Sequence, residues 1–118
     1  MCATKCSAKT KVRVVNKLED RQDLHLHCKS KDDDLGTQVV TPDGIWTFSF
    51  DPNFWGTTQF FCRFWWNGDS HWFHIYRASR HDPPLCPDEN IIWEVKKTGP
   101  CFITCFKKKP ELCDPWKS

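Results

Sequence analysis

The chain has 118 residues, a length that fits one domain, and a formal net charge of +2 with Lys and Arg nearly balanced by Asp and Glu. That balance does not suggest the strongly basic face of a nucleic-acid binder, and no apolar stretch reaches membrane-spanning length. Seven Trp and nine Phe beside one Met leave little material for a helical bundle and favour strands.

The first strand signal is KVRVVN (Lys11–Asn16), β-branched and alternating. QDLHLHC (Gln22–Cys28) alternates strictly, with Leu24, Leu26 and Cys28 on one face and His25 and His27 on the other. TQVVT (Thr37–Thr41) is short and runs into a PDG turn. IWTFSF (Ile45–Phe50) places Trp46, Phe48 and Phe50 on one face before DPN breaks it. TTQFFCRFWW (Thr57–Trp66) is apolar on both faces, which predicts a central strand covered on both sides or a core edge capped by a loop. Asn67-Gly68-Asp69 reads as a hairpin turn into HWFHIY (His71–Tyr76). A polar, proline-bearing loop covers Arg77 to Asn90, then IIWEVK (Ile91–Lys96), a TGP turn and CFITCF (Cys101–Phe106) follow; KKKPELCDPWKS reads as irregular. About eight short strands with turns between them predict an all-β, antiparallel β-sandwich stapled by disulfides. The whole of 1–118 is one domain, with an arm at 1–10 and a tail at 107–118.

Eight cysteines (Cys2, Cys6, Cys28, Cys62, Cys86, Cys101, Cys105 and Cys113) in so short a chain point to an oxidising compartment. Cys2/Cys6 and Cys101/Cys105 have a spacing that zinc sites use, but the other four are scattered, so disulfides are the preferred reading. The opening MCATKCSAKTK has no apolar core, so it is not expected to be a signal peptide, and Met1 is expected to be an added start if the protein is secreted. No glycosylation sequon follows any Asn.

Several blocks together resemble the plant self-incompatibility protein homologues, small secreted proteins named after the stigmatic self-incompatibility protein of field poppy. The carrying residues are VRVVNKL (Val12–Leu18), LHLHCKSKDDDLG (Leu24–Gly36), GIWTFSFDPNFWGTTQFFCRFWWN (Gly44–Asn67), HWFHIYRASR (His71–Arg80), Cys86, IWEV (Ile92–Val95) and GPC (Gly99–Cys101). The resemblance implies a secreted β-sandwich without enzymatic activity or cofactor, acting as an extracellular ligand. In poppy the founding member meets a pollen membrane receptor and sets off calcium signalling and pollen death. It further implies bridges joining Cys28 to Cys101 and Cys62 to Cys86. Cys2 and Cys6 are then left to pair with Cys105 and Cys113, tying the arm to the tail. The chain departs from the family pattern at Ile91, where a cysteine is usual, and in its extra terminal cysteines.

Asp32-Asp33-Asp34 lacks the alternating ligand order of a calcium loop and the cross-cleft separation of a catalytic pair. It reads as a turn held by its own hydrogen bonds, with Gly36 supplying a permissive dihedral, and second as a surface for a partner. His25 and His27 are spaced to chelate a metal on a strand but lack a third ligand, and His71 and His74 point to opposite faces, so the histidines read as solvent-facing. No serine has the context of a nucleophile elbow. Trp46, Phe48, Phe50, Phe60, Phe64, Trp72 and Trp93 are expected in the core. Lys107-Lys108-Lys109 reads as a solvated tail rather than an anionic-surface contact. Recognition is expected from the loop, at Arg80, His81, Asp82, Asp88 and Glu89, and from Asp32 to Asp34. The expected partner is a cell-surface protein receptor, met by a monomer, with no nucleic acid and no stable membrane insertion. The competing readings are a cysteine-rich defence or toxin-like protein and a small hydrolase.

Overall fold

The computed structural model describes residues 10–50, 59–77, 90–103 and 111–117. Among these it holds nine strands and no helix: β1 (Thr10–Asn16), β2 (Leu24–Lys29), β3 (Asp34–Val40), β4 (Ile45–Phe50), β5 (Gln59–Trp66), β6 (Asp69–Arg77), β7 (Asn90–Lys96), β8 (Gly99–Ile103) and β9 (Glu111–Cys113). They build a five-stranded sheet ordered β4-β1-β7-β8-β9 and a four-stranded sheet ordered β3-β2-β5-β6. The all-β sandwich expectation holds, with three differences. Strand β1 pairs parallel with β7, Val12 beside Ile91. The tail is not wholly irregular: three of its residues form β9 on the edge of β8. The turn before β8 is Lys97-Thr98, and Gly99 and Pro100 lie inside the strand.

Alternation drives the packing. Leu24, Leu26 and Cys28 of β2 are fully buried, as are Val12 and Val14 of β1, so each strand gives one face to the interior. The two sheets meet through aromatic contacts. Phe60 of β5 lies 5.1 Å from Phe48 and 4.6 Å from Phe50 of β4. Phe73 of β6 meets Trp93 of β7 edge-on at 4.7 Å, and the Trp93 indole donates to the carbonyl of Ile75 at 3.0 Å. Such ring pairs add to the stability gained from area alone.

Two polar features lock the corners. Asn16, 1% exposed, donates from Nδ2 to the carbonyls of Gln22 and Val40 at 2.9 and 2.8 Å, and its Oδ1 accepts from the Leu18 amide at 3.0 Å. This one side chain joins the end of β1 to the end of β3 in the other sheet. Gly99 lies under the tail: a Cβ there would overlap the Asp114 carbonyl. The tail is held by its own amides, Asp114 to the Pro100 carbonyl and Trp116 to that of Thr98, both at 3.2 Å.

The disulfides correct the expected pairing. Cys28 bonds Cys62, and Cys101 bonds Cys113. Both are cross-strand partners in register, Cys28 opposite Cys62 on β2 and β5 and Cys101 opposite Cys113 on β8 and β9. A bridge from Cys28 to Cys101 would have to cross between sheets, and Cys113 is already occupied, so it does not tie the tail to Cys2 or Cys6. Among the described residues no cysteine is free. Cys2, Cys6, Cys86 and Cys105 lie outside the described residues.

Candidate recognition surface

The face of the four-stranded sheet that points away from the core carries a set of side chains arranged in three rungs. Val39, His25, Trp65 and Ser70 form the first, Thr37, His27, Arg63 and Trp72 the second, and Lys29, Phe61 and His74 the third. Period-2 alternation places them here, because Cys28, Cys62 and Phe64 take the interior positions of the same strands. Among the described residues, therefore, no sheet covers the outer face of β5. Its outer residues Phe61 and Trp65 are half-buried by their neighbours, and Arg63 is exposed. Trp72, expected in the core, is 51% exposed, because it pairs across from Arg63 on this outer face.

Cations and rings are interleaved. The Arg63 guanidinium lies 4.7 Å from the Trp65 ring centroid, and Lys29 Nζ lies 5.8 Å from that of Phe61, distances at which the ring quadrupole attracts a cation. His25 stacks with Trp65, ring centroids 5.6 Å apart at 19°. Its Nδ1 is buried without a hydrogen-bond partner. Arg63 Nε also donates to the Ser70 hydroxyl at 2.9 Å, so the guanidinium is fixed on two sides.

Asp32 to Asp34 sit at the rim of this face, between β2 and β3. The turn is closed as its composition predicts. The Ser30 amide donates to the Asp33 carbonyl at 2.7 Å, the Asp33 amide to Ser30 Oγ at 3.1 Å, and the Gly36 amide to Asp34 Oδ1 at 2.9 Å. Gly36 has φ +76°, a region that glycine enters at little cost. Asp34 also meets His27 Nε2 at 2.6 Å. That contact, then the Gly36 amide, holds the Asp34 carboxyl below its ordinary 3.8. The side chains of Asp32 and Asp33 are exposed and face outward from the turn.

A His–carboxylate pair can orient a catalytic base. Among the described residues, however, no hydroxyl or thiol hydrogen-bonds to His27. The one group of metal-capable side chains found among the described residues is Cys101, Glu111 and Cys113, and both sulfurs there are consumed by the disulfide. His71 is not simply solvent-facing: it stacks on Trp116 at 4.6 Å and 7° on the interior side of β6. His74 lies on the opposite side near Phe61, so the two do diverge. Between β6 and the tail lies a groove of about 280 Å³ lined by Trp72, Phe73, His74, Asp114, Trp116 and Lys117.

The expected loop positions Arg80, His81, Asp82, Asp88 and Glu89 lie outside the described residues, as do Trp55 and Lys107 to Lys109. Sequence reading missed Arg63, Trp65, Phe61 and Lys29 as a group. The available signal was Arg63 itself, a charge placed between two aromatic residues on one face of a strand, at odds with burial on both sides.

Residues 11–116 match the family described as plant self-incompatibility protein S1. The chain is similar to S-protein homolog 2 of Arabidopsis thaliana, 38% identical over 93% of this chain and 70% of that protein. It is similar to S-protein homolog 4, 41% identical over 92% and 72%, and to S-protein homolog 5, 45% identical over 80% and 68%, both also from Arabidopsis thaliana. The fold resembles a solved structure of a self-incompatibility protein homologue, with TM-score 0.61 and 19% identity over 95% of this chain and 97% of that one. That protein represents a widespread family of small, highly stable, secreted plant proteins.

Proposed function

Because the chain belongs to the plant self-incompatibility protein S1 family, we propose that it acts as an extracellular signalling ligand, read by a protein receptor at a cell surface and catalysing no reaction of its own. The observation that carries this reading is the pair of disulfides set into the sheet ladders, Cys28–Cys62 and Cys101–Cys113. Bridges of this kind persist where the surroundings are oxidising. The solved relative described as secreted and highly stable supports the same compartment.

The mechanism is recognition by a preorganised surface. A sandwich cross-linked within both sheets gives up little conformational entropy on binding, so loop contacts translate into affinity. The Asp32–Asp34 turn presents two outward carboxylates on a closed frame. The loop positions Arg80, His81, Asp82, Asp88 and Glu89 are assigned to the same role. The protein binds as a monomer and signals through its partner.

The test is binding of the labelled, oxidised protein to plant protoplasts, whose walls have been removed. Saturable binding that is abolished by surface proteolysis and weakened by Asp32→Asn/Asp33→Asn is the expected result. Binding that survives proteolysis, or leakage of protein-free vesicles at the same concentration, would overturn the receptor reading.

A further inference from the structure

The outer face of β2, β5 and β6 interleaves cations with rings. Phe61, Arg63 and Trp65 follow one another on β5 at every second residue, about 7 Å apart, giving a ring–cation–ring track along one strand. Lys29 and His27 on β2 and Trp72 and His74 on β6 flank that track in register. Among the described strand residues sharing this face, the one carboxylate is Asp34, which lies opposite Lys29 and is engaged by His27 and the Gly36 amide; Asp32 and Asp33 stay at the rim, beyond the strands. The face therefore offers positive charge and ring surface together.

We propose that this face binds a linear acidic polysaccharide of the uronic-acid class. Sugar rings would lay their C–H faces on Trp65 and Phe61, and their carboxylates would meet Arg63 and Lys29. Each part of the ligand finds its complement. Tyr and Trp-type rings supply rigid apolar area at low entropic cost. The guanidinium fork matches a carboxylate in two parallel hydrogen bonds. Arg63 is already held by Trp65 and Ser70, so little side-chain freedom remains to be lost on binding.

The charge density selects this ligand over a nucleic acid. Strong binding to nucleic acids is driven by several Lys or Arg contacts to a phosphate at every nucleotide. Here, among the described side chains of the face, there are only two permanent cations, Arg63 in the middle of the ring track and Lys29 beside Phe61 at one end, a spacing that suits one carboxylate per sugar on an extended chain. This inference stands apart from the receptor reading: it concerns the strand side chains of β2, β5 and β6 rather than the Asp32–Asp34 turn at their rim, and its test uses purified polymers rather than protoplasts.

The experiment titrates the full, oxidised chain with polygalacturonate, with the same polymer fully methyl-esterified, and with polyuridylate. Expected is binding to polygalacturonate that Arg63→Gln and Lys29→Gln each weaken by about tenfold, the scale of a lost hydrogen bond to a charged group. Trp65→Ala should weaken it further, and Arg13→Gln, on the five-stranded sheet, should leave it unchanged. Circular dichroism of each variant establishes folding, and the two Gln variants remove only exposed or half-exposed charge. Absence of binding, equal binding of the esterified polymer, preference for polyuridylate, or affinity indifferent to Arg63→Gln and Lys29→Gln each overturns the proposal. So does a dimer that Trp65→Ala dissociates, which would make the face a contact between two copies.

Discussion

Asn16 and Val40 join the two sheets: the Asn16 Nδ2 donates to the Val40 carbonyl at 2.8 Å from a fully enclosed position. The same amide also serves the Gln22 carbonyl and the Leu18 amide. Truncation leaves three backbone groups without partners in a dry site. Asn16→Ala is therefore expected to lower stability by about 2–4 kcal/mol. Urea denaturation under non-reducing conditions should show a lower midpoint with an unchanged slope. An unchanged midpoint would mean that water replaces the side chain.

Gly99→Ala tests the seat of the tail. The added methyl meets the Asp114 carbonyl and the backbone at Pro115, neither of which can rotate away. Expected is a loss of about 1–3 kcal/mol, the cost of overpacking. It should come with separation of Trp116 from His71, which now stack at 4.6 Å. Faster proteolytic cleavage near Trp116 is the local readout, and a tail as resistant as in the parent chain would contradict this packing.

The disulfide pairing is open to direct chemistry. Non-reducing peptide mapping should recover Cys28 linked to Cys62 and Cys101 linked to Cys113. The double variant Cys101→Ser/Cys113→Ser opens a loop of sequence separation 12 and should cost about 3 kcal/mol by loop entropy. A peptide joining Cys28 to Cys101 would refute the pairing.

Acid should weaken the surface ion pairs in a defined window. Asp43 is held below 3.8 by Arg21 first and then Lys17, Asp20 by Lys97, and Asp34 by His27. A carboxylate with a depressed folded pKa stabilises above its unfolded pKa and loses that contribution as pH falls through the folded one. Stability is thus expected to hold down to about pH 4 and to decline below it. Lys97 runs the other way: its pKa is raised above 10.5 by Asp20, so its contribution is present below 10.5 and fades in stronger alkali. All these groups are exposed, so 1 M salt should flatten both limbs. NMR titration of Asp34 should give a midpoint under 3.8 that rises in His27→Ala.

Much of the fold was legible because burial here follows period 2. Leu24, Leu26 and Cys28 read inward from alternation alone, and Ser30 to Gly36 read as a self-bonded turn from Asp and Gly chemistry. Alternation assigns a face but not a neighbour: it turns Cys28 inward without naming Cys62, one strand away, and the Cys28–Cys101 bridge that the family resemblance implies does not form here. Phe61 and Trp65 misled for another reason: half-buried rings that hold cations have the composition of a core. Trp72 also has the composition of a core residue, yet it lies exposed across from Arg63. Glu111–Cys113 is too short to show any period, and its pairing with β8 is tertiary. Of the candidate surface, the Asp turn was visible and the ring–cation track was not, because it depends on three strands lying side by side.

The parallel ladder of β1 and β7 has a consequence for how the molecule is made. Val12 lies between Phe48 on one side and Ile91 on the other, so β1, made before the other described strands, is among the last to be completed. Contacts between distant parts of the chain close slowly. Until residue 90 emerges, β1 offers a β-branched edge with unpaired amides, the geometry that invites association with another copy. Folding of this chain is thus a late event, and truncations that stop before β7 are expected to aggregate rather than to yield a smaller sandwich.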